Sequence, residues 1–341
     1  MPVIKANAYG HGLINIAQIC DKSKEADRLC VASLDEALAL LNHKISKPLL
    51  ILSYYELNTE KVSRAVSKKV GFAVYQIEQA RFLNKIGEKN NKKVKVHVKV
   101  DTGAARIGIL PSQVVDFIEH LKKLANLELE GLWSHFASSE EDELYTERQY
   151  LTFQEVLYQL QRKGIEIPLR HMTCSAALTS YPKANFNAIR VGLSLYGLYP
   201  SAKSRESIAL QPALSWFTKI IQVKNLPAGA KIGYGGTFTT SRPTTLAIIP
   251  VGYWDGYDRG LSNAASVLIK GKLCPIRGRI CMNLSMVDVT DAPNVKAGDT
   301  AILIGSENNK AVTADELASL AGTINYEIVD RINPLLPRIT K

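Results

Sequence analysis

The sequence has no CxxC pair, no low-complexity block and no apolar run long enough to cross a membrane. Its five cysteines are odd in number and scattered, which indicates reduced thiols and argues against a disulfide scaffold or a structural zinc site. The chain does not begin with the basic and then apolar segments of a secretory signal. We therefore expect a cytoplasmic globular protein without a membrane partner.

The net charge of +10 would suit a nucleic-acid partner, but the lysines are dispersed along the 341 residues. Their densest run, Lys89 to Lys99, begins in a polar loop and continues as one face of a predicted strand, which indicates a solvated surface. We expect no nucleic-acid partner, since small ligands with phosphate or carboxylate groups also suit a basic protein.

Residues 1–210 alternate short apolar segments with segments of helical periodicity. Ser33 and Glu36 form a capping box that opens one predicted helix. The predicted strands are Val3–Ala6, Arg28–Ala32, Pro48–Leu52, Val70–Tyr75, Val94–Asp101, Leu127–Ser134, Leu169–Thr173 and Ala188–Val191. Eight strands alternating with helices favour a closed (β/α)8 barrel over an open doubly wound sheet, which usually has fewer strands.

From about Gln211 onward, short β-rich segments are separated by Gly- and Pro-containing turns. The predicted strand segments are Leu214–Val223, Thr245–Pro250, Ser266–Ile269, Met286–Val289 and Thr300–Ile304, and one late helix is predicted at Thr313–Ala321. The predicted fold class is thus α/β, with a barrel domain at 1–210 and a mostly β domain at 211–341.

Polar residues collect where the barrel strands end, which is the usual place for a barrel active site. They are Lys5, Lys99, Asp101, Arg106, His135, Ser175, Arg190 and Gly192. A lone lysine usually keeps its ammonium group in water. Lys5, however, lies among small residues and glycines, and a desolvated lysine can lose its proton and form a Schiff base with a carbonyl.

The segment VIKANAYGHG (3–12) closely resembles the pyridoxal phosphate attachment motif of the alanine racemases. The segments KVDTGAARIG, SHFA, CSAA, FNAIRVGLSLYGL, GYGGTF, PVGYWDGY, GRICMN and NYEI resemble later motifs of that family, in its order. The resemblance covers nearly the whole chain. It implies a homodimeric isomerase that uses pyridoxal phosphate to interconvert L- and D-alanine, and so supplies D-alanine for the peptidoglycan of the cell wall.

The resemblance also implies roles for individual residues. Lys5 would hold the cofactor and act as one base, and Tyr234 of the second subunit would be the other base, assisted by His135. Arg190 would face the pyridine nitrogen; an arginine there leaves the ring unprotonated and weakens it as an electron sink, which favours racemisation over transamination. The remaining implied residues are Tyr9, Ser175, Gly192, Leu193 and Tyr326 around the phosphate, Arg106 and Met282 on the substrate carboxylate, Tyr253, Arg279 and Tyr326 at the entrance, and Lys99 as a carbamate.

Two departures from the family pattern bear on these expectations. Asn283 stands where the family usually has aspartate, which leaves open a racemase for larger amino acids such as serine or lysine. The family also has a strand and a helix before the lysine strand; an internal methionine taken as the start would explain the shorter chain. A decarboxylase would need an acidic partner for the ring nitrogen in place of Arg190, and a non-catalytic cofactor-binding barrel would not need the β domain.

Overall fold

The computed structural model describes residues 1–340. The chain divides into two compact units, one formed by Met1–Ala8 with Leu13–Gln211 and the other by Tyr9–Gly12 with the residues from Pro212 onward. Within the described residues, no helix is both long enough and apolar enough to span a bilayer.

The first unit is a parallel barrel. Six parallel strands follow one another in chain order. Two parallel bridges close the barrel through residues 2 and 3: Pro2 pairs with Val191 at the last strand position, and Val3 pairs with Cys30 on the first of the six strands. The Val3 amide donates to the Val191 carbonyl at 2.8 Å, and the Cys30 amide donates to the Pro2 carbonyl at 2.8 Å. The six strands are Leu29–Val31, Leu49–Ile51, Gly71–Val74, Val94–Lys99, Leu127–Trp133 and Leu169–His171. The predicted (β/α)8 fold class is confirmed.

Helices alternate with these strands and cover them. The capping box is confirmed: the Glu36 amide donates to Ser33 Oγ at 3.2 Å, and Glu36 Oε2 accepts from the Ser33 amide. The α-helices of the barrel are Leu13–Lys22, Leu34–Asn42, Thr59–Ser67, Ile77–Lys89, Val114–Lys122, Glu143–Arg162, Ala177–Ser180 and Ser204–Ser207, and the 3₁₀ helices are Pro111–Gln113, Pro182–Ala184 and Leu193–Tyr196.

Two predicted barrel strands are wrong in extent. The strand Ala188–Val191 is reduced to the single bridge residue Val191. The strand Val3–Ala6 ends early, because Lys5–Tyr9 forms a left-handed turn in which Ala6 to Tyr9 have φ between 52° and 54°. Each non-glycine residue in this region costs about 1–2 kcal/mol, so surrounding contacts must hold the turn.

Glu36 is one of the groups that hold the backbone after Lys5. Its Oε1 accepts from the Ala6 amide at 2.7 Å, while Oε2 accepts from the Ala32 amide at 2.8 Å. One carboxylate therefore joins the residue after Lys5 to the end of the neighbouring strand, in addition to capping its own helix.

Replacing Glu36 with alanine is expected to lower the free energy of unfolding by about 2 kcal/mol, because both strand-end amides and the helix cap lose a charged acceptor. Urea unfolding, monitored by circular dichroism, would measure this loss of unfolding free energy. The matched control is Asp35→Ala: Asp35 lies in the same helical turn, but its ion pair with Lys61 is solvent-exposed, so the expected change is within about 1 kcal/mol. Equal losses in the two variants would contradict the role given to Glu36.

The second unit is mostly antiparallel β structure. Its strands are Trp216–Lys219, Gln222–Leu226, Lys231–Ile232, Phe238–Thr239, Thr244–Ile249, Ser266–Ile269, Lys272–Pro275, Ser285–Asp288, Thr300–Glu307 and Lys310–Val312. Thr244–Ile249 is the middle strand of a three-stranded sheet, and Thr300–Glu307 pairs with three neighbours in the larger sheet. Ile232, Leu246, Ile248 and Met286 form a buried apolar cluster.

Two predictions for this unit are corrected. The segment Leu214–Val223 is not one strand, because Ile220 and Ile221 separate two strands that pair with different partners. A second late helix, Asn325–Asp330, follows the expected one at Ala314–Ala321. Gly322 ends the first of these helices with φ 70°, a left-handed conformation that glycine adopts without cost.

Candidate functional site

The polar face of strand Val94–Lys99 is buried, so the predicted solvated surface is wrong for its last residues. His97 is 0% exposed and Lys99 is 2% exposed. His97 contacts His171 two strands away in the sheet, which requires that both side chains point into the barrel. A barrel strand buries one face under the helices and the other in the interior, so strict alternation here does not indicate a solvent-facing side.

Arg190 lies at the centre of this interior and is 3% exposed. Nη2 donates to the carbonyls of Ser134 at 2.7 Å and Met172 at 3.1 Å, and it lies 3.2 Å from His135 Nδ1. Nη1 donates to the His171 carbonyl at 3.0 Å and to His171 Nδ1 at 2.6 Å. Burial lowers the pKa of Arg190 to about 10, so it remains charged at neutral pH, and its terminal nitrogens account for all five contacts.

Two basic side chains lie against the indole ring of Trp133. Lys99 Nζ lies 4.1 Å from the ring centroid and the Arg190 guanidinium carbon lies 4.8 Å from it, both within the range of cation–π attraction. Within residues 1–340, Lys99 Nζ is buried and has no hydrogen-bond partner. Burial, with Arg190 and Arg106 nearby, holds the pKa of Lys99 well below its usual value. This environment therefore favours the neutral amine of Lys99 over its ammonium form.

His135 is influenced by four of the predicted basic residues. Burial lowers its pKa well below the usual value, and Arg190, Lys99, Arg106 and Lys5 add to the effect in that order. The barrel thus brings the residues predicted on strands one, five, six and eight around one neutral imidazole. Lys5 and Arg106 are themselves exposed, as ligand-contacting groups need to be.

Gln149, which is fully buried in helix Glu143–Arg162, fixes the segment that carries His135. Its Nε2 donates to the His135 carbonyl and to Thr102 Oγ1, both at 3.3 Å, and its Oε1 accepts from the Ala137 amide at 2.9 Å. Gln149 therefore holds the backbone that carries the His135 imidazole through hydrogen bonds at His135 and at Ala137.

Ser175, Gly192 and Leu193 form the second part of the barrel site, at the ends of the last two strand positions. Ser175 Oγ accepts from the Gly192 amide at 3.0 Å and from the Ser194 amide at 3.3 Å. Leu193 is buried and opens the 3₁₀ helix Leu193–Tyr196. A hydroxyl close to two backbone amides is the kind of polar group that a phosphate needs.

In the second unit, Tyr234 lies on a glycine loop and is 73% exposed. Gly233 has φ 69°, and a Cβ on it would lie 2.7 Å from Met286 Cε, so the loop requires glycine there. A Cβ on Gly235 would lie 3.2 Å from Arg279 Nη1. The predicted base and one predicted entrance residue are therefore neighbours.

Tyr253 and Met282 lie on two segments that are joined by backbone hydrogen bonds. The Tyr253 amide donates to the Cys281 carbonyl, and the Trp254 amide donates to the Met282 carbonyl, both at 3.0 Å. Tyr253 and Met282 are exposed. Elsewhere in this unit the rings of Tyr9 and Tyr326 lie 6.1 Å apart, so the two tyrosines predicted at the phosphate contact one another.

Several residues of the site were not predicted from the sequence. Trp133, His171, His97, Glu130 and Arg28 surround or extend the Arg190 contacts, and none of them was predicted there. A usable signal exists for His97: on the strictly alternating strand it lies on the same face as Lys99, one of the predicted site residues.

Comparisons with known proteins cover almost the entire chain. A family model described as alanine racemase, N-terminal domain, matches residues 1–200, and one described as alanine racemase, C-terminal domain, matches residues 213–340. An alanine racemase of Methanococcus maripaludis is 41% identical over 99% of this chain and 91% of its own length.

Solved structures give the same result. An alanine racemase of Clostridium difficile 630 superposes with a TM-score of 0.91 at 37% identity, over 97% of this chain and 86% of that one. An alanine racemase of Bacillus anthracis with bound L-Ala-P superposes with a TM-score of 0.89 at 36% identity, over 97% and 85% of the two chains.

Proposed function

Because the chain belongs to the alanine racemase family, we propose that it is a pyridoxal phosphate-dependent isomerase that interconverts L- and D-alanine. Among features of the molecule, the one that carries most weight is Arg190, a buried cation whose terminal nitrogens are all engaged by carbonyls and imidazoles. Decarboxylation would call for an acid at this position, and the relatives described above give that alternative no support.

The residues of the barrel fit the proposed cofactor. Lys5, Lys99, Arg106 and Arg190 all lie close enough to His135 to lower its pKa, and such an excess of basic groups favours an anionic ligand. Ser175, whose Oγ lies beside the Gly192 and Ser194 amides, would supply a hydroxyl donor to the phosphate. With its terminal nitrogens engaged, Arg190 has Nε–H left to donate to a ring nitrogen.

We assign the proton transfers to two bases, one for each face of the substrate α-carbon. Pyridoxal phosphate, when bound, supplies electron withdrawal that stabilises charge at that carbon. Lys5 holds the cofactor and moves the proton on one face, and Tyr234 moves it on the other. Arg106 and the Met282 backbone hold the substrate carboxylate.

The assignment of Tyr234 requires a homodimer in which each active site takes this tyrosine from the partner subunit. Tyr234, Tyr253, Arg279 and Met282 are all exposed on the single chain, as residues that complete a neighbour's site would be. Tyr253, Arg279 and Tyr326 then narrow the entrance. We place the enzyme in the cytoplasm, where its five cysteines, all free, would stay reduced.

The reaction is tested by incubating the purified protein with pyridoxal phosphate and L-alanine and separating the products by chiral chromatography. D-Alanine is the expected product, and its absence from an intact dimer would refute the proposal. Serine and lysine, assayed in parallel, address the substrate range left open by Asn283. Faster turnover of either one than of alanine would contradict an alanine-specific enzyme.

We also propose that Lys99 carries a carbamate. Burial, with Arg190 and Arg106 nearby, holds the pKa of Lys99 well below its usual value, which favours the neutral amine that adds to carbon dioxide, forming an N–C bond and releasing a proton. The resulting negative charge would orient Arg106 and pair with the uncompensated cations.

In a solution containing ¹³C-bicarbonate, a carbamate resonance is expected in the ¹³C NMR spectrum of the wild type and of Lys95→Met, since Lys95 lies on the same strand but is partly exposed. The resonance should be absent from Lys99→Met. A wild-type spectrum without it, or an unchanged Lys99→Met spectrum, would refute the modification.

A further inference from the structure

A buried chain of hydrogen bonds leads from Arg190 to a carboxylate on a different strand. Arg190 Nη1 lies 2.6 Å from His171 Nδ1, His171 Nε2 lies 2.9 Å from His97 Nδ1, and His97 Nε2 lies 2.8 Å from Glu130 Oε2. Both histidines are 0% exposed and Glu130 is 8% exposed. Four side chains thus form one path with no ring nitrogen of either histidine left over.

The two ends of this path fix the direction of every bond in it. A guanidinium can only donate and a carboxylate can only accept. His171 therefore accepts at Nδ1 and donates from Nε2, and His97 accepts at Nδ1 and donates from Nε2 to Glu130. The two imidazoles are neutral and share one tautomer, with the proton on Nε2.

The charge states agree with this direction. Burial lowers the pKa of His97, and burial followed by the Arg190 charge lowers the pKa of His171 well below its usual value. Burial opposes ionisation of Glu130, but hydrogen bonds from His97, Arg28 and Lys95 outweigh it and bring the pKa of Glu130 far below the usual range. The path therefore holds one anion and two neutral rings at neutral pH.

Arg28 is positioned to reverse the direction of the hydrogen bonds along this path if the Glu130 carboxylate is removed. Its Nη1 donates to Glu130 Oε2 and lies 3.0 Å from His97 Nε2. Without the carboxylate, Arg28 can donate to His97 Nε2, which moves the His97 proton to Nδ1. His171 must then accept at Nε2 and carry its proton on Nδ1, where it meets an Arg190 N–H.

We propose that Glu130 is a positioning residue: by accepting from His97 it keeps both imidazoles protonated on Nε2, so that His171 presents an acceptor to Arg190. Glu130 thereby holds the guanidinium in one orientation through two intervening side chains. The importance of this orientation for racemisation rests on the proposed function, whereas the proton positions on the two rings do not.

The proton positions are measured by long-range ¹H–¹⁵N correlation spectra of the histidine rings, assigned with single His→Gln variants and needing neither cofactor nor substrate. His97 and His171 of the wild type are expected to be protonated on Nε2. In Glu130→Met both should change to Nδ1. In Glu130→Gln, whose amide oxygen can still accept from His97, both should stay as in the wild type.

A wild type with Nδ1 protonated on either ring, or a folded Glu130→Met with both rings unchanged, would overturn the proposal. Should Glu130→Met fail to fold, the wild type and Glu130→Gln still test the path, and a proton on Nδ1 of either ring in either protein would overturn the proposal.

Activity and cofactor absorbance supply the second readout. Glu130→Met is expected to lower kcat/KM for alanine by about ten- to a hundredfold, the usual effect of losing a charged hydrogen-bond partner, with a changed absorbance spectrum of the bound cofactor. Lys95→Met, which removes the donor at the other oxygen of Glu130, should leave both near wild type. A wild type that shows the predicted tautomers but no racemisation would refute the proposed function alone.

Discussion

Lys5→Ala is expected to abolish racemisation, with kcat reduced by about 10⁴-fold or more, because one residue both attaches the cofactor and acts as one of the two bases. Lys5 lies two residues after the bridge residue Val3 and opens the left-handed turn. Its backbone is thus set by the barrel and by Glu36.

Absorbance and borohydride reduction separate attachment from catalysis in this variant. The wild type should be yellow with bound cofactor and should bleach on reduction, with the label recovered on a peptide containing Lys5. Lys5→Ala should show neither property, and the exposed control Lys68→Ala should behave as the wild type. A reduced label on another residue, or residual turnover above a hundredth of the wild type, would contradict the role of Lys5.

Tyr234→Phe is expected to lower kcat by about 10²- to 10⁴-fold, the range for loss of a general acid or base. The hydroxyl is removed, while Gly233 and the exposed ring leave the loop free to keep its conformation. Because Lys5 remains, the variant should still exchange the α-proton of one alanine enantiomer with solvent deuterium and not that of the other. Loss of exchange for both enantiomers, or unchanged racemisation, would remove Tyr234 from the mechanism.

Mixing subunits tests whether Tyr234 acts in the partner's site. Lys5→Ala and Tyr234→Phe homodimers are each expected to be inactive, but unfolding and refolding them together should restore about a quarter of wild-type activity, since half of the dimers are mixed and each of those has one intact site. Refolding either variant alone is the control. No recovery from a mixture proven to contain mixed dimers would contradict shared sites.

The parts of the fold that depend on local patterns are predictable from the sequence. Strand Ser266–Ile269 and the Ser33–Glu36 capping box are confirmed because alternation, turn residues and cap spacing act over a few residues. The left-handed turn after Lys5 is not predictable in this way, because Ala6 and Ala8 carry no local preference for positive φ. Contacts such as that of Glu36 with the Ala6 amide hold it, and they join residues 30 apart.

The same difference applies to the site. The placement of Arg190, His135 and Lys99 within one barrel interior follows once eight strands are counted, because strand ends converge at one rim. The path through His171 and His97 to Glu130 is invisible in the sequence, since these residues are 33 and 74 positions apart. Only closure of the barrel shows that a polar face on Val94–Lys99 is buried, and so corrects the predicted solvated surface.

The central claim is that this chain removes and returns the α-proton of alanine on both faces. The most direct measurement is proton NMR of L-alanine incubated in D₂O with the pyridoxal phosphate-loaded dimer, followed by chiral analysis. We predict loss of the α-proton signal and equal final amounts of L- and D-alanine, both deuterated at the α-carbon. Alanine that stays wholly L and retains its α-proton, or that loses its carboxyl group as carbon dioxide, would contradict the claim.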